Sequence, residues 1–235
     1  MQKISYSFYK NTKKMIDVSN TPQFIQFTDT LTGYGNNLDS EKNNKVILFF
    51  GGSKYIAYNS VGKYSAKFDY PFISVDYYGS QDSSGKMNIK TMKQSAEELY
   101  DWVKKHYPNS EIIIIGHSYG VGIATYLASV RECNYLIIVS GYRDIADLYN
   151  RVIPIFWGPL KVFISNNIHT AKYAKNVECP VYIIGSTNDN VLSASLQEKL
   201  SASFKNSQVK IFVDITHEDY FNSDDVINYI NEIIE

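Results

Sequence analysis

The sequence has few cysteines and no long apolar segment. Of its 235 residues only Cys133 and Cys179 are cysteines, too few and too far apart in the chain for a disulfide scaffold or a zinc cluster. We therefore expect two free, buried thiols in a reducing compartment. No stretch approaches the roughly 18–20 apolar residues that span a bilayer, which predicts a protein without a transmembrane segment.

Positive and negative charges are nearly balanced, so neither sign is in excess. Lys and Arg together number 23 and Asp and Glu 24, for a formal net charge of −1, so no global field would attract nucleic acid or an acidic membrane. The first ten residues also lack the apolar core of a signal peptide. These absences predict a cytoplasmic protein that does not bind nucleic acid. They leave the oligomeric state open.

Short apolar runs alternate with helical patterns from Lys45 onward. The runs are typical of strands that are buried on both faces: 46–50, 72–75, 112–115, 135–139, 181–184 and 209–213. The helical patterns cover 55–67, 89–106, 118–131, 193–204 and 224–233. This alternation predicts an α/β fold with a mostly parallel, doubly wound sheet. Before it, residues 4–9 and 23–28 alternate polar and apolar residues, as antiparallel edge strands do.

Residues 143–176 interrupt the alternation. They separate two core strands by more than one helix needs, and an insertion at this place lies above the carboxyl ends of the strands, where open α/β sheets bind ligands. We predict one domain, 1–235, with a small helical cap at about 143–176. The apolar residues of the cap would either line an acyl pocket or form the cap's own core: Leu148, Ile155, Phe156, Trp157, Leu160 and Phe163.

The most specific motif lies in residues 111–122. Four consecutive isoleucines run into Gly116-His117-Ser118-Tyr119-Gly120, and helix-favouring residues follow. A strand, a sharp turn and a helix form the setting of a nucleophile elbow, which exposes a serine hydroxyl at the carboxyl edge of a sheet. Gly116 and Gly120 suit such a turn because a Cβ at either position would crowd the neighbouring strand or helix. Ser118 is therefore the predicted nucleophile.

A serine nucleophile needs a base to take its proton. In the elbow architecture the histidine comes last in the chain, after the acid. Two histidines follow Ser118 in the sequence. His169 falls in the predicted cap, where no strand positions it, whereas a short loop after the apolar run 209–213 would bring His217 to the sheet edge. We predict that His217 is the base.

The acid that orients the base is expected in the loop after the preceding strand. Asp189 lies there, after the run 181–184, and is the predicted acid. Asp144 and Asp147 follow an earlier strand and are the alternative. His106 and His117 have no metal-ligand spacing with another ligand-type residue, so we predict no metal site.

Two backbone N–H groups are candidates for an oxyanion hole. One belongs to Tyr119, directly after the nucleophile. The other belongs to Ser53, because Gly51 and Gly52 before it would let a substrate approach the backbone closely; Gly52 is thus a predicted substrate contact. The alternative is an ordinary strand-to-helix turn. Neither a G-x-G-x-x-G nor a phosphate-binding G-x-x-x-x-G-K-[ST] pattern is present.

From about Lys45 to its end, the chain resembles the α/β-hydrolase superfamily. Within it, the chain is similar to the compact, small-capped serine hydrolases that include the Bem-type fungal proteins and the animal depalmitoylating hydrolases. Residues 76–85, Asp-Tyr-Tyr-Gly-Ser-Gln-Asp-Ser-Ser-Gly, resemble the family's D-Y-R-G-Y-G-x-S-x-G loop. Residues 157–164 and 177–181 look like its short cap and the return to the sheet. Residues 185–189 and 216–217 occupy the acid and base positions.

The chain also departs from the family's pattern at several positions. Gly51 and Ser53 stand where the family usually has His and Asn, and Tyr78 and Gln81 replace the Arg and the second Gly of the loop. These departures put the bracing of the oxyanion loop and the transfer of the family's substrates in question, but they leave the triad intact.

The resemblance implies hydrolysis of an ester, thioester or amide through an acyl-enzyme, without a cofactor. Ser118 would attack a small-molecule or lipid-like acyl substrate, His217 would transfer the proton, and Asp189 would orient His217. The alternatives are a serine aminopeptidase or acyltransferase with the same triad, and a non-catalytic binding module with this fold.

Overall fold

The computed structural model describes residues 12–15, 18, 20–40, 44–145, 147 and 168–235. It contains a central sheet whose strands are β1 (Gln23–Gln26), β2 (Thr32–Asn36), β3 (Lys45–Phe50), β4 (Phe72–Val75), β5 (Glu111–His117), β6 (Tyr135–Val139), β7 (Val181–Ser186) and β8 (Ser207–Phe212). The α-helices of these residues are α1 (Ala57–Tyr64), α2 (Ile89–His106), α3 (Val121–Ala128), α4 (Thr170–Ala174), α5 (Ala194–Ser201) and α6 (Asp224–Ile234).

The sheet order is β1-β2-β4-β3-β5-β6-β7-β8. β1 and β2 pair antiparallel with each other, and β2 pairs antiparallel with β4. Every pairing from β4 through β3 to β8 is parallel. This arrangement confirms the predicted mostly parallel sheet with antiparallel N-terminal strands. The further edge strand predicted at 4–9 lies outside the described residues.

The two central strands are apolar because both of their faces are covered. Val46 to Phe50 in β3 and the four isoleucines of β5 are at most 2% exposed. Removing a side chain of this size from water contributes about 1.5–3 kcal/mol. The edge strand β8 differs: its residues alternate between exposed and half-buried, as expected where one face and one edge meet solvent.

The longest helix has the predicted bounds, Ile89–His106. Asn88 begins it with a capping box: its Oδ1 accepts from the Thr91 N–H at 3.1 Å, and the Thr91 hydroxyl accepts from the Asn88 N–H at 2.9 Å. Three basic residues, Lys104 to His106, lie in the last turn, where they complement the negative end of the helix dipole.

The insertion between β6 and β7 is described only at its two ends. The Ala171 N–H donates to the Arg143 carbonyl at 2.9 Å, which joins the start of α4 to the chain that leaves β6. Residues 148–167, including the predicted pocket residues Phe156 and Trp157, lie outside the described residues. The cap and its pocket therefore stay predictions.

Asp76 is a buried carboxyl directly after β4. Its Oδ1 accepts from the Ala57 N–H at the start of α1, at 2.8 Å, while its Oδ2 has no hydrogen-bond partner in the described part of the chain. Burial raises the pKa of Asp76 to about 7, although the Ala57 N–H acts in the opposite direction. The folded protein therefore holds a proton here that the unfolded chain releases.

We expect Asp76 to make the free energy of unfolding fall as the pH rises from about 4 to 7. Over that range the unfolded carboxyl, with an ordinary pKa of 3.8, has lost its proton and the folded one retains it, so stability is greatest below the range and declines through it. Urea unfolding at several pH values should show this decline in the wild type and a smaller one in Asp76→Asn. Asp29→Asn removes an exposed carboxyl and is the control. An equal decline in all three proteins would contradict the expectation.

Candidate active site

Ser118 lies on a sharp turn between β5 and α3. Its φ is +51°, a strained value for a residue with a side chain. The turn needs glycines on both sides: a Cβ on Gly120 would lie 2.2 Å from the Phe50 carbonyl oxygen, and one on Gly116 would lie 2.7 Å from the Ala124 Cβ. Residues 118–120 form a 3-10 turn before α3 begins. This geometry is that of a nucleophile elbow.

His217 lies against Ser118. The loop after β8 places its Nε2 2.9 Å from the Ser118 Oγ. On the other side of the ring, Nδ1 lies 3.0 Å from Oδ2 and 3.2 Å from Oδ1 of Asp189. The structure thus brings the three predicted residues together in the order hydroxyl, imidazole, carboxylate, which fits a Ser-His-Asp triad.

The Asp189 carboxylate is buried and fully supplied with donors. Its Oδ1 accepts from the N–H groups of Val191 at 2.8 Å and Leu192 at 2.9 Å. Burial alone would favour its neutral form, but hydrogen bonds from His217, Ser140 and the backbone outweigh that effect and hold the pKa of Asp189 well below its usual range. The group is therefore a carboxylate at neutral pH and stabilises a positive charge on the imidazole.

Two residues that support Asp189 did not emerge from the sequence. The Ser140 hydroxyl donates to Oδ2 at 2.6 Å and lies 3.1 Å from the His217 Nδ1, and the Tyr220 hydroxyl donates to Oδ2 at 3.0 Å. Ser140 could have been predicted near Asp189, because it directly follows β6 and the carboxyl ends of neighbouring parallel strands lie at one edge of the sheet. Tyr220 carries no comparable signal.

The alternative acids lie elsewhere. Asp147 forms an ion pair with Arg143, with 3.0 Å between Oδ1 and Nη2. Asp144 lies in the same turn, where its carbonyl accepts from the Asp147 N–H. His169 is exposed at the start of α4. Asp189 is the carboxylate that contacts His217.

His117 holds the loop that carries His217. Its Nε2 donates to the His217 carbonyl oxygen at 3.2 Å, and its ring packs edge-on against Phe221 with 5.6 Å between ring centroids. Desolvation lowers the pKa of His117 to about 3, and the neighbouring His217 acts in the same direction. His117 is therefore a neutral donor beneath the elbow.

The loop after β3 approaches the nucleophile through its backbone. A Cβ on Gly52 would lie 3.1 Å from the Ser118 Cβ, so this loop lies where a substrate carbonyl would bind. A Cβ on Gly51 would lie 2.4 Å from Cδ2 of Tyr55. The Tyr55 ring thus fills the space next to Gly51, and its hydroxyl donates to the Val75 carbonyl at 2.7 Å. Position 51 therefore has no room for a side chain while the Tyr55 ring keeps this place.

A cavity of about 490 Å³ opens in front of Ser118 and His217. The part of its wall that the structure describes includes the loop after β3, α1 and the start of the loop after His217. Besides the catalytic candidates, polar residues contribute to the wall: Ser53, Lys54, Asn59, Lys63 and Glu218. Neither Lys54 nor Lys63 forms an ion pair within the described residues. The cavity can thus accept a polar or anionic group beside the nucleophile.

The described part of the chain contains neither a candidate metal cluster nor a membrane-spanning helix. No three His, Cys, Asp or Glu side chains converge there on a possible metal position. None of the helices described combines the length and the apolarity that crossing a bilayer requires.

Comparison with known sequences gives a consistent result. A family model described as alpha/beta hydrolase fold matches residues 49–147. Lysophosphatidylserine lipase ABHD12 of Danio rerio is 30% identical over 148 residues, which cover 56% of this chain and 38% of that protein. The Rattus norvegicus protein of the same name is 29% identical over 164 residues, covering 60% of this chain and 41% of its own length. The aligned region is thus about two fifths of these relatives.

Solved structures share the fold over nearly the whole chain. An esterase of Pyrococcus furiosus, Pf2001, superposes with a TM-score of 0.67 at 16% identity, covering 92% of this chain and 89% of that one. The acylaminoacyl peptidase of Pyrococcus horikoshii superposes with the same TM-score and identity over 91% of this chain and 40% of its own. The chain thus has the α/β-hydrolase fold, and its residues 49–147 match the family model of that fold.

Proposed function

We propose that this protein is a serine hydrolase that cleaves carboxylic esters through an acyl-enzyme. The observation that carries the proposal is the continuous contact from the Ser118 Oγ through His217 to Asp189, at 2.9 and 3.0 Å. An activated serine needs this chain of hydrogen bonds, since a free hydroxyl is a weak nucleophile at neutral pH.

In the proposed reaction His217 takes the proton of Ser118 as its Oγ attacks the ester carbonyl. The negative charge that develops on the carbonyl oxygen is stabilised by the backbone N–H groups of Ser53 and Tyr119. His217 then protonates the leaving alcohol, and the ionised Asp189 stabilises the imidazolium meanwhile. A water molecule, activated by the same histidine, releases the acid from Ser118.

For the substrate we propose an acyl ester whose alcohol part carries an anionic group. Lys54 and Lys63 supply positive charge to the cavity wall, and Asn59 lies between them in the sequence on the same wall. The sequence relatives are named as lipases of lysophosphatidylserine, a single-chain ester with a phosphate and a carboxylate in its head. We propose that the anionic head group of the substrate contacts Lys54 and Lys63, and that the acyl chain binds at the predicted cap with Phe156 and Trp157.

Three substrate types separate this proposal from its alternatives. A p-nitrophenyl ester series of increasing chain length, acyl-thioesters, and aminoacyl anilides are offered to the purified protein. The proposal predicts turnover of the esters with a preferred chain length. A preference for the thioesters would favour the depalmitoylase-like alternative, and turnover of the anilides alone would favour the aminopeptidase. Transfer of the acyl group to an added alcohol in preference to water would indicate an acyltransferase.

We expect Lys54→Ala and Lys63→Ala each to raise KM for lysophosphatidylserine about tenfold. A charge-assisted hydrogen bond contributes about 1.5–3 kcal/mol, and an exposed lysine retains only part of it. KM for a short p-nitrophenyl ester should stay unchanged, because that substrate has no anionic head. Lys86→Ala, a surface change away from the cavity wall, is the matched control. Equal KM changes for both substrates would contradict the assigned role of the lysines.

A cytoplasmic location is also part of the proposal. It is supported by the two free cysteines, Cys133 and Cys179, as expected of a protein in a reducing compartment. Subcellular fractionation of the cells that express the protein tests it: activity in the soluble fraction is expected, and activity recovered with membranes would contradict it.

A further inference from the structure

Cys133 and Cys179 lie side by side at the end of the sheet opposite Ser118. Cys133 comes two residues before β6 and Cys179 two residues before β7. These neighbouring strands run parallel, and the Leu136 N–H donates to the Pro180 carbonyl at 3.1 Å where they begin. The strand pairing thus brings together two residues that are 46 positions apart, with only 2.7 Å between their sulfur atoms.

A distance of 2.7 Å is much shorter than a van der Waals contact between two sulfur atoms and somewhat longer than the roughly 2.05 Å of a disulfide bond. The backbones on both sides are fixed by the sheet, so the two side chains are already held in the approach that bond formation needs. Both thiols are free, as expected, with Cys179 buried and Cys133 half-buried. The structure adds that the two are adjacent.

We propose that Cys133 and Cys179 form a reversible intramolecular disulfide by exchange with a small-molecule disulfide such as oxidised glutathione. One protein thiolate attacks the glutathione disulfide, forms a mixed disulfide and releases one glutathione thiolate. The second protein thiol loses its proton and attacks the protein sulfur of that mixed disulfide, which releases the second glutathione. The protein gives up two protons and two electrons, and one oxidised glutathione becomes two reduced molecules.

The surroundings suit this exchange. A cavity of about 590 Å³ opens at this end of the sheet and gives a small disulfide access. It is lined by both cysteines and by side chains of both charges: Lys104, Arg131, Glu132 and Glu178. The hydrogen bond from the Cys133 thiol lowers the pKa of Cys179, although burial acts against it. The thiolate is the attacking form of cysteine.

The bond would connect the starts of β6 and β7. It would close the loop that contains the insertion 143–176, and it lies away from the triad at the other edge of the sheet. A disulfide stabilises chiefly by restricting the unfolded chain, so the oxidised protein should melt roughly 5–15 °C higher than the reduced protein. Ester hydrolysis should be equal in the two forms.

The test is intact-protein mass spectrometry after incubation with oxidised and with reduced glutathione, followed by thermal melting. The proposal predicts a mass lower by two hydrogens in the oxidised sample, no thiol left to alkylate, and reversal by reduced glutathione. Cys133→Ser and Cys179→Ser should each retain one glutathione adduct and show no rise in melting temperature. Two stable adducts on the wild type, two unreacted thiols, or a linked protein that melts no higher than the reduced one would overturn the proposal. None of these results depends on the hydrolase activity.

Discussion

Ser118→Ala is expected to lower kcat for ester hydrolysis by about five to six orders of magnitude. Loss of a triad serine removes the covalent pathway, and what remains comes only from substrate binding and the oxyanion donors. Substrate affinity should change little, because the cavity wall is unaltered. The measurement is p-nitrophenyl ester hydrolysis by the wild type and the variant, together with thermal melting of both.

Ser129→Ala is the matched control for this substitution. Ser129 follows α3, the helix that begins at the elbow, and its hydroxyl donates to the Tyr126 carbonyl at 2.6 Å. It does not line the cavity in front of Ser118. It should retain wild-type kcat. A Ser118→Ala protein that is folded and hydrolyses esters at the wild-type rate would show that a different group attacks the substrate.

Asp189→Asn is expected to reduce kcat about 10⁴-fold. An amide would present an N–H where the carboxylate now accepts, which favours the histidine tautomer whose Nε2 carries a proton. That tautomer cannot take the proton of Ser118, whose Oγ lies 2.9 Å from this nitrogen. The substitution also leaves the Ser140 and Tyr220 hydroxyls with a poorer acceptor than the present Oδ2. Steady-state kinetics with an ester substrate measure the effect.

Asp219→Asn provides the comparison for Asp189→Asn. Asp219 is an exposed carboxylate two residues after His217, and it accepts hydrogen bonds from the Thr216 hydroxyl and the Asn222 amide in its own loop. It should retain nearly full activity. A larger loss in Asp219→Asn than in Asp189→Asn would mean that the acid of the triad was assigned to the wrong carboxylate.

The core of the fold could be predicted because local and tertiary preferences agree. The four isoleucines of β5 are β-branched, and a strand covered on both faces is where such a run is stable. The helix 89–106 is long and periodic, so its bounds were predictable as well. The bounds of the edge strand β8 were less predictable, because an edge strand needs apolar residues on one face only. It begins at Ser207, two residues before its apolar run.

The candidate triad could be proposed from chain order, but its support could not. Ser118, Asp189 and His217 each follow a recognisable strand, and parallel strands deliver their carboxyl ends to one edge. Tyr220 reaches Asp189 from a 3-10 turn whose position depends on how the last loop folds. The contact of Tyr55 with Gly51 and the adjacency of the two cysteines likewise depend on packing and strand register, for which a single sequence carries no local signal.

Labelling with a fluorophosphonate probe is the sharpest test of whether Ser118 is an activated nucleophile. Such a probe reacts with a serine only when a neighbouring base has activated it, so no knowledge of the substrate is needed. We expect mass spectrometry to locate the phosphonyl group on Ser118 of the wild type, with no labelling in Ser118→Ala and much slower labelling in His217→Ala. Folded wild-type protein that stays unlabelled, or that carries the group on another serine, would contradict it.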